Sequence, residues 1–271
     1  MHVPALLWFA TVGILLALVA RDLASGWRAR PEPSPRNDAL VVVGYLLLAA
    51  LFGVVVLVVG GAPSAGAFFA GWGSSLAVTV DALVVFVLIT SGARARHRVV
   101  VLGVAASALA RCGLIAFGIP SASAIAWISA LFGACVLAAA WPVFRHDDAA
   151  TLPAVLGRPG AAPAAAVSTA AVLGLFSVSA AVAGGAYLAF CAGMFSLLGF
   201  HRLFRLVAGL VDRSPDASTG LAVVLVFIGV KSVLAGVTGT APDAQVTVLT
   251  LGMIAAVAVL SAITAARAPS P

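Results

Sequence analysis

The sequence predicts an all-α fold: a polytopic bundle of about nine membrane-spanning helices. Two observations carry this. Of the 271 residues, 63% are hydrophobic and only 9% are charged, whereas a soluble domain carries about 25% charged residues. The apolar residues also fall in continuous runs of about 20, the length that crosses a hydrocarbon core as a helix. Backbone groups in lipid must be satisfied within their own segment, so each run is read as a helix. A closed barrel would show alternation instead.

In chain order the apolar runs lie at 4–21, 38–60, 66–92, 99–119, 122–143, 163–183, 186–208, 218–237 and 245–265. The first has no basic n-region and runs into Arg21-Asp22, so it reads as a retained span and not as a cleaved leader. The charge pattern supports the count. Thirteen of the fifteen Lys and Arg residues fall at the end of odd-numbered spans or after them, in the groups Arg21 to Arg36, Arg94 to Arg98, Arg145 and Arg158, Arg202 to Arg213, and Arg267. The N-terminus and the loops Gly60–Gly66, Gly118–Ala122, Gly184–Gly185 and Thr238–Ala244 contain none. The positive-inside rule then puts the N-terminus outside and the C-terminus in the cytoplasm. With fourteen Arg to one Lys and abundant Ala, the composition fits a high-GC bacterial gene. The location expected is therefore the bacterial inner membrane.

The net charge of +6 does not point to nucleic acid, because the cations are scattered between apolar runs and not gathered on a stripe with stacking aromatics. The partner expected is the lipid bilayer. Cys112, Cys135 and Cys191 each sit inside an apolar run, with no CxxC spacing, and read as small hydrophobes.

The organisation expected is one membrane domain, 1–271. It consists of a helix pair over 1–65, a three-helix unit over 66–143, a cytoplasmic linker at 144–162, a second three-helix unit over 163–240, and a last helix and tail over 241–271. Two units of three helices enter the membrane from opposite sides, which is the inverted-repeat plan of many secondary transporters. A faint echo joins them: Phe132-Gly133 in the fifth span and Phe227-Ile228-Gly229 in the eighth.

Three ionisable residues fall deep inside the spans, away from their ends: Asp81, Arg111 and Lys231. A charge at the bilayer centre costs about 2.5–3.5 kcal/mol on insertion scales, so each is a candidate functional residue. At 1.5 Å per residue Arg111 and Lys231 lie at similar depth, roughly 18 Å from the cytoplasmic boundary, with Asp81 near them. Asp81 is expected to pair with one of the two bases, either as a staple between helices or as part of a site facing a cavity. His201 and Arg202, near the inner end of the seventh span, read as interfacial side chains.

Three stretches carry a resemblance to a known family. They are Phe68-Phe69-Ala70-Gly71-Trp72 leading to Val80-Asp81-Ala82-Leu83-Val84-Val85-Phe86; His97-Arg98-Val99 through Gly103 to Arg111; and Gly220 through Phe227-Ile228-Gly229-Val230-Lys231. Arg21-Asp22-Leu23 and Phe195-Ser196-Leu197-Leu198-Gly199 match more weakly. In this order they resemble the TerC family of bacterial membrane proteins, within the LysE-type transporter superfamily. The resemblance implies transport of a divalent metal such as manganese, and an association with tellurite resistance, with intramembrane carboxylates holding the metal. Hard divalent cations prefer such oxygen ligands.

The chain departs from the family where that metal would bind. The family's glutamate six residues before the aspartate is Ser75 here, and its asparagine after the aspartate is Ala82. The acidic positions of its second half fall on Ala165, Ser168 and Gly174. Of those carboxylates Asp81 remains in the membrane and Asp22 at its edge. The expected site is thus Asp81 as candidate metal ligand or proton acceptor, Arg111 and Lys231 as charge partners or gate, and Ser74, Ser75, Thr79 and Ser168 as neutral oxygens. One acid against two bases leaves a net charge of +1, which favours an anion, a proton-linked carboxylate or no solute over a dry divalent cation. No resident cofactor is expected. The function expected is membrane transport of a metal ion; the alternative is a non-transporting relative that acts as a membrane scaffold in a stress-response complex. An enzyme is not expected, since no nucleophile–base pair, HExxH motif or phosphate loop is present.

Overall fold

The computed structural model describes residues 5–27, 34–90, 96–117, 122–145, 165–169, 185–211 and 217–238. Their regular structure is entirely α-helical. The predicted linker beyond Arg145, most of the sixth span and the ninth span lie outside the described residues.

Helix α1 spans Ala5–Trp27 and α2 spans Pro35–Thr90. Helix α2 holds the second predicted span and the third as far as Thr90, and the loop expected at Gly60–Gly66 contracts to a kink. Gly61 alone inside α2 leaves helical geometry, with φ 75° and ψ 174°, a conformation that a side chain would resist. Pro63 follows in the first turn of the second arm, where its missing N–H costs nothing. The two arms fold back on each other. The Phe52 and Phe68 rings are 5.1 Å apart, although a straight helix would separate residues at that spacing by roughly 24 Å. The tip of the Phe69 ring points at Gly53, where an added Cβ would come within 2.2 Å of it.

Helix α3 is Arg96–Phe117 and α4 is Ala122–Arg145. The seventh predicted span is not one helix. It divides into α5, Ala186–Leu197, and α6, Phe200–Val211. Leu198 is extended and Gly199 takes φ 78°, the left-handed region that favours glycine. Helix α7 is Ala217–Thr238.

Leu188 to Leu197 of α5 are all buried. A helix apolar on every side belongs at the centre of a bundle, and α5 packs on α1, α2 and α3. Trp8 of α1 meets Tyr187 and Phe190 at 5.5 and 5.8 Å, while Phe52 and Phe68 of α2 meet Phe195 at 5.1 and 6.1 Å. The outer surface of α1 and of the first arm of α2 is exposed leucine, valine and phenylalanine, including Leu6, Phe9, Leu40, Leu51 and Val58. An apolar exterior around an apolar core is what lipid as solvent requires. Three described helical stretches are long and apolar enough to cross a membrane: Leu6–Trp27, Pro35–Val87 and Ala186–Gly209.

Helices α4 and α7 form the tightest pair. A Cβ on Gly133 would lie 2.6 Å from the Gly229 carbonyl oxygen, and one on Gly229 would lie 3.0 Å from the Gly133 carbonyl oxygen. Backbones this close need small residues on both sides. Ser129 Oγ adds a 2.9 Å hydrogen bond to the Ser232 carbonyl.

Candidate functional site

The three intramembrane charges separate into two groups. Asp81, on the second arm of α2, is 3% exposed, and its Oδ2 accepts a hydrogen bond from Lys231 Nζ of α7 at 2.5 Å. Asp81 Oδ1 is buried with no hydrogen-bond partner. Arg111 is elsewhere, on α3, and is 2% exposed. Its guanidinium donates to the Gly193 carbonyl and, at 3.0 Å, to Ser196 Oγ of α5. The pairing expected for Asp81 is therefore with Lys231, and the partners of Arg111 are neutral.

Helical periodicity explains the division. Ser74 stands two turns before Asp81, on the same face of α2; it is half-buried and donates to the Gly71 carbonyl at 2.9 Å. Ser75 and Thr79 lie on the other side of the helix. Thr79 Oγ1 donates to the Ser75 carbonyl at 2.7 Å and shares a 3.1 Å hydrogen bond with Ser196 Oγ. Of the neutral oxygens proposed from sequence, Thr79 thus joins the Arg111 group and Ser75 is buried beside it. Ser168 is exposed on the described segment 165–169.

A small cavity of about 20 Å³ lies beside Arg111, lined among others by Thr79, Phe86, Gly103, Ser107 and Phe200. Gly103 is needed here, because the Phe86 ring occupies the space that a Cβ would take.

A third charged cluster sits at one end of the bundle. Arg202 Nη1 and Arg205 Nη2 of α6 donate to Asp38 Oδ1 at 3.0 and 2.5 Å. Arg202 Nε lies 3.6 Å from Asp22 Oδ1. The other Asp22 oxygen accepts the Gly199 N–H at 3.3 Å, at the start of α6. A carboxylate there satisfies a backbone donor left open by the break and complements the positive helix end. Both acids are at most 5% exposed. His201 is also buried, against Gly26 of α1. At the same end the Arg98 guanidinium stacks over the Trp27 ring at 5.8 Å. The basic ends of α1, α2, α3 and α6 therefore meet, as expected of loops on one side of a membrane.

Sequence reasoning missed Ser196, Gly193 and Asp38. Ser196 receives Arg111, shares a hydrogen bond with Thr79 and donates to the Gly193 carbonyl at 2.8 Å. Its signal was its place in the Phe195 to Gly199 stretch. Asp38 had the weaker signal of an acid in the first turn of a helix. Among the described residues no three His, Cys, Asp or Glu side chains gather as a metal site.

These features define a helical integral membrane protein whose buried charges lie between its packed helices. The chain belongs to the integral membrane protein TerC family, whose model matches residues 60–269. It is 30% identical to an uncharacterized membrane protein of Mycobacterium tuberculosis over 86% of this chain and 69% of that protein. An uncharacterized membrane protein of Mycobacterium bovis matches to the same extent. One from Myxococcus xanthus is 23% identical over 97% of this chain and 94% of its own length. No solved structure matches.

Proposed function

We propose that this chain transports a metal ion, of the manganese type, across the bacterial inner membrane, using nine spans arranged as two inverted three-helix units. The observation that carries the reading is the Asp81–Lys231 pair. It joins the part of the chain before residues 144–162 to the part after it, inside helices built for lipid. Transporter sites form at such an interface between halves. Arg111 with Ser196, Thr79 with Ser196, and Gly133 with Gly229 cross the same divide.

The pair suggests how a site with one carboxylate handles a divalent cation. Lys231 Nζ holds the place of a cation against Asp81 and keeps the unloaded site neutral. A metal ion competes for the carboxylate through the buried, unpartnered Oδ1, with Ser74 on the same helical face as a neutral oxygen. Loading then requires Lys231 to withdraw, which links occupancy to the packing of α7 on α2. The freed ammonium lowers metal affinity and favours release.

The second reading is a scaffold in a membrane stress-response complex. It is favoured by the neutralisation of Asp81 and by the family acids replaced at Ser75, Ser168 and Gly174. The two readings separate in one experiment: intracellular manganese in cells that lack or overproduce the chain, with Asp81→Asn at matched expression. Transport predicts lower manganese on overproduction and no change with the mutant. Unchanged manganese in both strains sinks the metal reading. A scaffold predicts tolerance of Asp81→Asn and loss of function on charge reversal at Arg94, Arg96 and Arg98.

A further inference from the structure

Arg111 differs from the other buried charges among the described residues. Asp22, Asp38 and Asp81 each have a cationic partner, whereas the guanidinium of Arg111 is held by a carbonyl and a hydroxyl. The predicted spans at 163–183 and 245–265 contain no Asp or Glu that could serve it. A buried cation without a counter-charge is costly in a membrane interior.

The space beside it suits a counter-ion. Arg111 lines the cavity of about 20 Å³, and its Nε is buried with no hydrogen-bond partner. Ser107 lies one turn earlier on the same face of α3 and also lines the cavity, as does Thr79. The other described walls, among them Val78, Ala82, Val104 and Leu197, are apolar, and none of the described lining residues is a carboxylate. The cavity has room for a water-sized group.

We propose that this cavity binds one halide-sized anion, which neutralises Arg111 within the membrane. A monatomic anion only accepts hydrogen bonds, so it can take the Nε–H and the Ser107 hydroxyl at once. Bound there, it holds Arg111 against Gly193 and Ser196, just before the break at Gly199, and so braces α3 on the broken helix. This site does not rest on the metal reading, because Asp81 is not among its lining residues.

The test uses the full chain purified in detergent, with chloride as the probe and gluconate keeping ionic strength constant. Expected are a saturable broadening of the chloride NMR line that bromide displaces, and a higher unfolding midpoint in chloride than in gluconate. Ser107→Ala should weaken chloride binding about tenfold, the loss of one hydrogen bond to an ion, and Arg111→Met should abolish it. Should Arg111→Met fail to insert, wild type and Ser107→Ala decide the matter. Unsaturable broadening in wild type, or identical chloride affinity in Ser107→Ala, overturns the proposal and leaves the cavity to a water molecule.

Discussion

Lys231 Nζ lies 2.5 Å from Asp81 Oδ2, and the two residues are 150 positions apart in the chain. Breaking such a buried pair from one side strands a charge, which costs about 3–5 kcal/mol. Asp81→Asn and Lys231→Met should each lower stability by that order, and the double substitution should cost less than either alone. Chemical unfolding in detergent measures this cycle. Manganese export adds a second reading: if the pair forms the transport site, the double variant inserts normally and still exports nothing. Restored export in the double variant would reduce the pair to a staple.

Gly133 and Gly229 bring the α4 and α7 backbones into contact. Gly133→Ala should therefore cost about 1–3 kcal/mol through overpacking. Gly44 has nothing within 4 Å of an added Cβ, so Gly44→Ala should be neutral or slightly stabilising, alanine being the better helix former. Unfolding midpoints of the two variants, compared side by side, check the difference.

The break between α5 and α6 depends on Gly199 at φ 78° and on Asp22, which accepts its N–H. Gly199→Ala should destabilise by about 1–2 kcal/mol through the left-handed backbone alone, with the Tyr45 ring 3.1 Å from the new Cβ adding to it. Asp22→Ala should speed amide exchange at Gly199, and equal exchange in both proteins would remove Asp22 from the role of cap.

The distribution of cations predicts an orientation with the N-terminus outside and the C-terminus in the cytoplasm. A reporter active only outside the inner membrane should work when fused near residue 62 or residue 240, and a cytoplasmic reporter when fused near residue 150 or at the C-terminus. The opposite pattern would refute the assigned topology.

Much of the fold was legible in the sequence because lipid imposes a simple rule on composition. Runs of apolar residues had to be helices, and the segments around α1, α3, α4 and α7 are found where hydropathy put them. The interruptions were less legible. Gly61 and Gly199 stand among other glycines in apolar surroundings, and hydropathy averaging hides a single backbone torsion. Of the candidate site, the residue types were visible but not their grouping. Thr79 and Asp81 are two positions apart and face different helices, so proximity in sequence misrepresented proximity in space.

By itself the sequence determined that this chain lives in a membrane and that Asp81, Arg111 and Lys231 stand deep within its apolar runs. These properties depend on residue identity, and no folding is needed to read them. Only the tertiary structure decided that Lys231 and not Arg111 neutralises Asp81, that Arg111 borders a small cavity with neutral partners, and that Asp22 and Asp38 tie α1 and α2 to the arginines of α6. The reason is geometric: a helix face is set by 100° per residue, but the helix that meets that face is chosen by packing among segments far apart in the chain.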